Sequence, residues 1–351
     1  MEHYIFILFG SFIFSLILTY TVKKFCMRHN LLDYPNERKI HKNPTPRLGG
    51  VAIFLAFNLS LGMVLIHEGA ILYSDFNYLL GFSLGGSVIF CLGVYDDLKS
   101  LKAIWKIIYQ SLAILILILF GFRINILYIP FYKAISLGLV SFPITFLWCL
   151  VIINAFNLID GLDGLAAGLS VIAAITLLGV GVFHNIKLVS LISLGMVGTC
   201  LGFLKYNYPP AKIFMGDSGS LYLGYVFAVE GVICPVKSYT TMAIFVPLLA
   251  LGIPIFETFL SFFRRILNNK RFYHADKRHL FHFMLEKGFS QKLTIWIFYI
   301  ISIILSITTW TVLARRHKLI FSYLLLGLGI LILMLAYYLF TKGLNSKLNK
   351  K

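Results

Sequence analysis

Acidic side chains are scarce in this chain: Asp and Glu number 14 among 351 residues, against 31 Lys and Arg, and charged residues of either sign make up only 13%. Cysteine is scarce too. Cys26, Cys91, Cys149, Cys200 and Cys234 lie far apart with no C-x-x-C pair, which excludes a disulfide scaffold; four of them sit in or beside apolar runs, as packing residues do. Low-complexity linkers and long internal repeats are also missing, so residues 1–351 read as one integral domain. No cleavable leader is evident. The first apolar run starts near Tyr4 without a basic prelude, lacks a convincing A-x-A site and continues into Lys23-Lys24, so it reads as a retained helix.

What the chain has in abundance is apolar surface. Hydrophobic residues make up 59% and Phe alone numbers 32, more than a soluble core can bury. Disorder is excluded, and the fold class is an all-α polytopic integral membrane protein. Runs of roughly 17 to 25 residues, long enough to span, begin near Tyr4, Leu48, Tyr78, Ala103, Leu137, Leu165, Leu188, Gly219, Thr241, Leu293 and Leu319. The expectation is therefore about 11 transmembrane helices. Between the fourth and fifth, RINILYIPFYKAI alternates partly at period two and contains Pro130, which predicts a small surface hairpin.

Eleven spans put the termini on opposite sides, and Lys/Arg bias decides which is inside. With the N-terminus outside and the C-terminus cytoplasmic, the inner loops are 22–47, 96–102, 157–163, 205–217 and 264–292. Together with the tail and Lys106 at a helix mouth, they hold about 24 of the 31 basic residues. ARRHK at 314–318 opposes the rule locally. The net charge of +17 thus reads as topology and attraction to anionic membrane lipids, not as nucleic-acid binding.

Five of the scarce acids fall in three tight clusters at the edges of apolar runs: Asp96-Asp97 in YDDLKS, Asp160 and Asp163 in NAFNLIDGLDGL, and Asp217 in FMGDSGS. Carboxylates near hydrocarbon are expensive, so their default reading is functional. The charge count made no use of them, yet all three clusters fall on the cytoplasmic face. Asp96 and Asp97 are suited to binding Mg²⁺, positioning a phosphate or accepting a proton; alone, they equally suit a solvated inner loop. Spacings of three bring Asn154, Asn157, Asp160 and Asp163 toward one face of a helix or helix end, where hard oxygen donors suit Mg²⁺ and also read ribose and base edges. Asp217 lies among glycines at a helix N-terminus that favours phosphate, and Phe214 before it could stack on a base or simply pack.

In HADKRHLFHFMLEKG a short helix is expected, with Asp276 as N-cap and Gly288 as stop. His279 and His282 are then one turn apart, without a third zinc ligand at metal spacing. With Arg271, Lys277 and Arg278 nearby, hydrogen bonding to phosphate fits them better; the plain alternative is a basic interfacial helix. Lys42 lies in HKNPTPRLGG, where Pro44 and Pro46 stiffen the approach to a span opened by Gly49-Gly50. Glu257, inside the ninth run, needs a buried partner such as Arg264 or a histidine, whether for a structural pair or for chemistry.

In their order and spacing, PTPRLGG, DDLKS, NAFNLIDGLDGL, FMGDSGS and HLFH resemble the polyprenyl-phosphate N-acetylhexosamine-1-phosphate transferase family over about residues 33–290. The resemblance implies transfer of a sugar-1-phosphate from a UDP-sugar to a polyprenyl (undecaprenyl) phosphate with release of UMP. Mg²⁺, with Mn²⁺ as an alternative, is the implied cofactor. PTPRLGG and HLFH resemble the WecA/TagO branch more than the MraY branch, which generally shows PTMGG and a triple histidine. That favours UDP-GlcNAc, or another UDP-N-acetylhexosamine, over UDP-MurNAc-pentapeptide, in the first membrane step of cell-envelope polysaccharide or teichoic acid synthesis.

The implied catalytic residues are Asp96, Asp97 and Asp217, with Asp217 and Asn157 as metal ligands. The implied substrate-binding residues are Lys42, Lys99, Asn154, Asp160, Asp163, Phe214, Arg271, His279 and His282. The chain departs from the family pattern at Glu257, where Asp is common, and at Phe281, where a further histidine is frequent. The implied location is the cell inner (plasma) membrane with a cytoplasmic active site; a homodimer is left open. The alternatives are an MraY-type phospho-MurNAc-pentapeptide transferase and, distantly, an ion-coupled transporter, whose acids would sit near the midplane among repeats.

Overall fold

In lipid an apolar segment must satisfy its own backbone hydrogen bonds, and a helix does so. The computed structural model describes residues 2–35, 43–67, 72–128, 134–237, 250–267 and 279–314. Their helices are α1 (Glu2–Arg28), α2 (Gly49–His67), α3 (Leu72–Lys99), α4 (Ala103–Leu119), α5 (Ser141–Ile159), α6 (Leu165–Phe183), α7 (Lys187–Asn207), α8 (Gly216–Lys237), α9 (Gly252–Leu267), α10 (Leu280–Glu286) and α11 (Gln291–Ala314). Seven of them, α1 to α3, α5 to α7 and α11, are long and apolar enough to cross a membrane. The protein is an all-α, multi-pass membrane protein. The runs from Thr241 and Leu319 begin outside the described residues.

One expectation needs correction. The ninth run is not one uninterrupted helix: the chain turns at Leu251 and α9 starts at Gly252, with Pro254 in its first turn, where a missing N–H costs nothing. Asp276, the expected cap of the histidine helix, lies outside the described residues. That helix starts at Leu280 with His279 in the extended capping conformation, and it stops, as anticipated, at Gly288 (φ +90°). The hairpin between the fourth and fifth runs is present: β3 (Ile126–Tyr128) pairs antiparallel with β4 (Ala134–Ser136). A second small pair joins β1 (Leu32–Asp33) to β2 (Thr45–Pro46), with Asp33 opposite Thr45.

Helix α8 is the axis of the bundle. From Ser218 to Cys234 every residue is buried, and α2, α3 and α5 pack against it. A helix that is covered all round belongs to a core. Two glycines permit the approach of α2 and α3 near its N-terminus: a Cβ on Gly50 would lie 2.0 Å from Gly219 N, and one on Gly93 would lie 2.4 Å from Ser218 Cα. On the flank, α1 buries Ser11, Ser15 and Thr19 against α7 and leaves Ile5, Phe9, Ile13 and Ile17 exposed, as a lipid-facing helix does.

Candidate functional site

The N-terminus of α8 is held from two sides. From one side comes the backbone of PTPRLGG: Phe214 N–H donates to Pro46 O (2.7 Å), Gly49 N–H to Phe214 O (3.0 Å) and Gly50 N–H to Met215 O (2.8 Å). From the other comes Asp97, at the end of α3. Its Oδ1 accepts from Asp217 N–H (2.8 Å), and its Oδ2 accepts from Ser218 N–H (3.1 Å) and Ser218 Oγ–H (2.6 Å). A carboxylate supplied by another helix thus does the work of an N-cap, where the first N–H groups lack intrahelical acceptors and the helix dipole favours negative charge. Asp97 is spent on this task.

Its neighbour faces elsewhere. Asp96 Oδ1 accepts from Leu101 N–H (2.6 Å), which closes the turn after α3, while Oδ2 lies 2.6 Å from Lys106 Nζ. The same ammonium lies 2.6 Å from Asp217 Oδ2. Lys106 therefore bridges two of the three acidic clusters. All three side chains are at most about a quarter exposed, so removal of the cation would leave two carboxylates facing each other in a largely dehydrated setting. The cost is of order 3 kcal/mol.

The third cluster arrives by a break in the chain. Helix α5 ends at Ile159, Asp160 caps it, and Gly164 (φ +75°) turns the backbone into α6. The turn is pinned by Asn207, whose Oδ1 accepts from Gly164 N–H (2.9 Å), by Tyr299 Oη–H donating to Gly164 O (2.6 Å), and by Asp163 Oδ2 accepting from Ala211 N–H (3.0 Å). Asp160 and Asp163 then join Asp97, Asp217, Arg47 and His282 in the wall of a cavity of about 640 Å³. Depth below the surface, reinforced by Asp217, Asp97 and Asp163, raises the Asp160 carboxyl well above the usual range. Removal from water and the nearby His279 lower the His282 imidazole below its usual value.

The expected site residues divide accordingly. Asp97, Asp160, Asp163, Phe214, Asp217 and His282 come together at the cavity, and Asp96 reaches it through Lys106 and Asp217. Asn157 is not in the wall; its Nδ2 donates to Ser220 Oγ (3.0 Å), one helical turn beyond Asp217. Nor is Asn154, whose Nδ2 donates to Gln110 Oε1 (2.9 Å) and Leu150 O (2.7 Å). The helix breaks at Asp160, so these four polar residues do not share one face. Lys99 points to the Tyr95 ring, 5.4 Å from its centroid, and His279 is buried beside Glu257. Lys42 and Arg271 lie outside the described residues.

Sequence reasoning passed over Lys106, Arg47, Asp33 and Asn207. A signal existed for Lys106: a lone lysine in the apolar stretch AIWKIIYQ of α4, with Gln110 one turn further on the same face, demands a partner. Counted as a topological charge alone, it escapes notice. Asp33 and Asn207 carry no such mark, because pairing and chain reversal bring them in.

A family model described as glycosyl transferase family 4 matches residues 79–234, which hold all three acidic clusters. A relative from Bacillus subtilis (strain 168), named as a probable undecaprenyl-phosphate N-acetylglucosaminyl 1-phosphate transferase, is 37% identical over 299 residues, covering 85% of this chain and 82% of its own. A decaprenyl-phosphate N-acetylglucosaminephosphotransferase from Mycobacterium leprae is 33% identical, with 78% and 74% covered. A phospho-N-acetylmuramoyl-pentapeptide-transferase from Prochlorococcus marinus (strain MIT 9301) is 32% identical, with 82% of each covered. With these relatives and the acidic clusters gathered at one cavity, the chain belongs to the polyprenyl-phosphate N-acetylhexosamine-1-phosphate transferases, a family of phosphoglycosyltransferase enzymes.

Proposed function

We propose that this protein transfers N-acetylglucosamine-1-phosphate from UDP-GlcNAc to a polyprenyl phosphate and releases UMP. An oxygen of the acceptor phosphate attacks the phosphorus attached to the sugar. The bond from that phosphorus to the bridging oxygen breaks, and the bridging oxygen leaves with UMP. The observation that carries the reading is the meeting of three acidic clusters from distant segments around one cavity, with Lys106 shared between two of them.

The polyprenyl phosphate is close to a dianion at neutral pH and needs little deprotonation, so the task is to bring two anions together. Lys106 supplies positive charge beside the reacting groups, and Arg47 adds a second cation in the wall. Asp97 keeps the α8 N-terminus and Asp217 in place. Asp96, free of that duty, orients the acceptor phosphate through Lys106 or takes its last proton. Asp160, Asp163, Phe214 and His282 position the nucleotide and sugar; a largely neutral His282 donates one hydrogen bond to an anion without bringing a full charge.

Among the described residues no three His, Cys, Asp or Glu side chains form a metal cluster. Two carboxylates do converge on one cationic atom, Lys106 Nζ, and a donor set made of oxygens suits a hard cation such as Mg²⁺, with Mn²⁺ as the substitute. Asp217 would hold it, with the Asn157 amide oxygen as the second candidate. Bound there, Mg²⁺ would supply Lewis-acid stabilisation of pyrophosphate charge.

The orientation belongs to the same proposal: eleven spans, N-terminus outside, the cavity at the cytoplasmic face of the plasma membrane. Cysteines placed at Lys102 and Ser290 should then label from the same, cytoplasmic, side; opposite sides would break the topology. The reaction itself is tested by incubating purified protein with UDP-GlcNAc, undecaprenyl phosphate and Mg²⁺, then measuring UMP and the lipid product. A chelator should abolish turnover. Turnover only with UDP-MurNAc-pentapeptide would move the protein to the other branch, and none with either donor would sink the reading.

A further inference from the structure

Glu257 has no place in the cavity wall, yet it is 1% exposed and both its oxygens are turned toward one short element. Oε1 accepts from Leu280 N–H (3.0 Å), at the first residue of α10, and Oε2 lies 3.4 Å from His279 Nδ1. Ser261 Oγ, one turn along α9, faces the same ring nitrogen at 3.4 Å. Helix α10 has only seven residues, too few to set its own position, so tertiary contacts must do so.

A second contact lies at its other side. The buried Phe281 ring covers the turn after α5 so closely that a Cβ on Gly161 would lie 2.2 Å from Phe281 Cζ. Its face is stacked on His279 (5.3 Å between centroids, 10° between planes), and its centroid is 4.4 Å from that of His282. His282 reaches the cavity shared with Asp160 and Asp217. A chain of contacts thus runs from Glu257 through His279 and Phe281 to His282, and every link is buried or half-buried.

We propose that Glu257 is a positioning residue for the transfer site: by holding the first N–H of α10 and the His279 ring, it sets His282 in the cavity wall against the Asp160–Asp163 turn. The proposal rests on the reaction proposed above. Phe281 serves it as the packing piece for which Gly161 leaves room. A buried pair that served stability alone would have no reason to grip the element that delivers a side chain to the cavity.

The test is a double-mutant cycle in the full-length protein, read as UMP affinity and as KM against kcat for UDP-GlcNAc. His282→Ala should weaken UMP binding and raise KM about tenfold, as expected for one hydrogen bond to a charged group. Glu257→Met, which fills the volume without an acceptor, should do the same, and the double variant should be no worse than His282→Ala. Glu257→Gln retains an acceptor for Leu280 N–H and should restore KM to within about threefold. Normal UMP binding by Glu257→Met, or additive losses in the double variant, would overturn the proposal. If Glu257→Met does not fold, Glu257→Asp, which withdraws the carboxylate by one methylene, takes its place; the same non-additivity is expected, and its absence counts against the proposal. UMP binding without UMP release by the wild type would count instead against the reaction, while the cycle could still be read.

Discussion

Helix α8 carries two acids, Asp217 in its first turn and Glu230 thirteen residues later, about 20 Å along the axis at the helical rise. Both interrupt an apolar stretch, and by sequence alone both invite a functional reading. Their surroundings differ. Asp217 faces the Lys106 ammonium, starts a helix capped by a second carboxylate, and opens onto a cavity lined by three more, Asp33, Asp160 and Asp163. Glu230 is fully buried; Ser193 Oγ–H donates to its Oε1, and Oε2 has no hydrogen-bond partner among the described residues. An acid becomes part of a site when counter-charge, donors and open volume converge on it. Burial in a membrane protein does not suffice.

The largest effect should come from the Asp217 end. Asp217→Asn is expected to lower turnover by roughly 10²-fold or more with the folded protein retained, as read from UMP release and a thermal melt. Near-normal activity of a well-folded Asp217→Ala variant would erase the contrast. Next comes Asp97. Asp97→Ala leaves two backbone N–H groups and a hydroxyl without their acceptor, so it should lose stability by about 2–4 kcal/mol as well as activity. A variant that loses turnover with an unchanged melting temperature would show that capping is not its main task.

At the other end, Glu230→Gln should keep UMP release within about twofold, because a neutral amide of the same shape suits a site with a single hydroxyl partner. A large loss would make Glu230 functional. The smallest effect concerns pH. His282 is held below its ordinary value of 6.5 by burial and by His279. Its neutral form carries no penalty above that value, and stability falls as pH drops through it, because the unfolded chain takes up the proton first. Between pH 7.5 and 5.5 His282→Asn should flatten that fall in melting temperature; an unchanged slope would assign the dependence to other groups.

Much of this was legible beforehand because its causes are local. Apolar runs become helices wherever lipid forbids an unsatisfied backbone, so the starts of α4 at Ala103 and α6 at Leu165 coincide with the runs that announce them. Gly288 stops α10, and β3 pairs with β4 in the expected hairpin, for equally local reasons. Other features were less legible. Asn154 and Asn157 carry the spacing of a site, but the chain breaks at Asp160 and their amides turn to Gln110 and Ser220. Lys106 is a single residue in an apolar helix, and its two carboxylates are 10 and 111 positions away in the chain.

By itself the sequence determined the class of molecule, the helical runs and which carboxylates to watch, since hydropathy and the cost of charge near hydrocarbon act on each segment separately. Only the tertiary structure decided the division of labour among those acids. Asp97 became a cap because the α8 N-terminus lies against it, Asp96 and Asp217 became partners because one ammonium lies between them, and Glu257 was tied to α10 rather than to the cavity. Hydrogen bonds and ion pairs act over about 3 Å, and which groups come that close is settled by how distant segments pack.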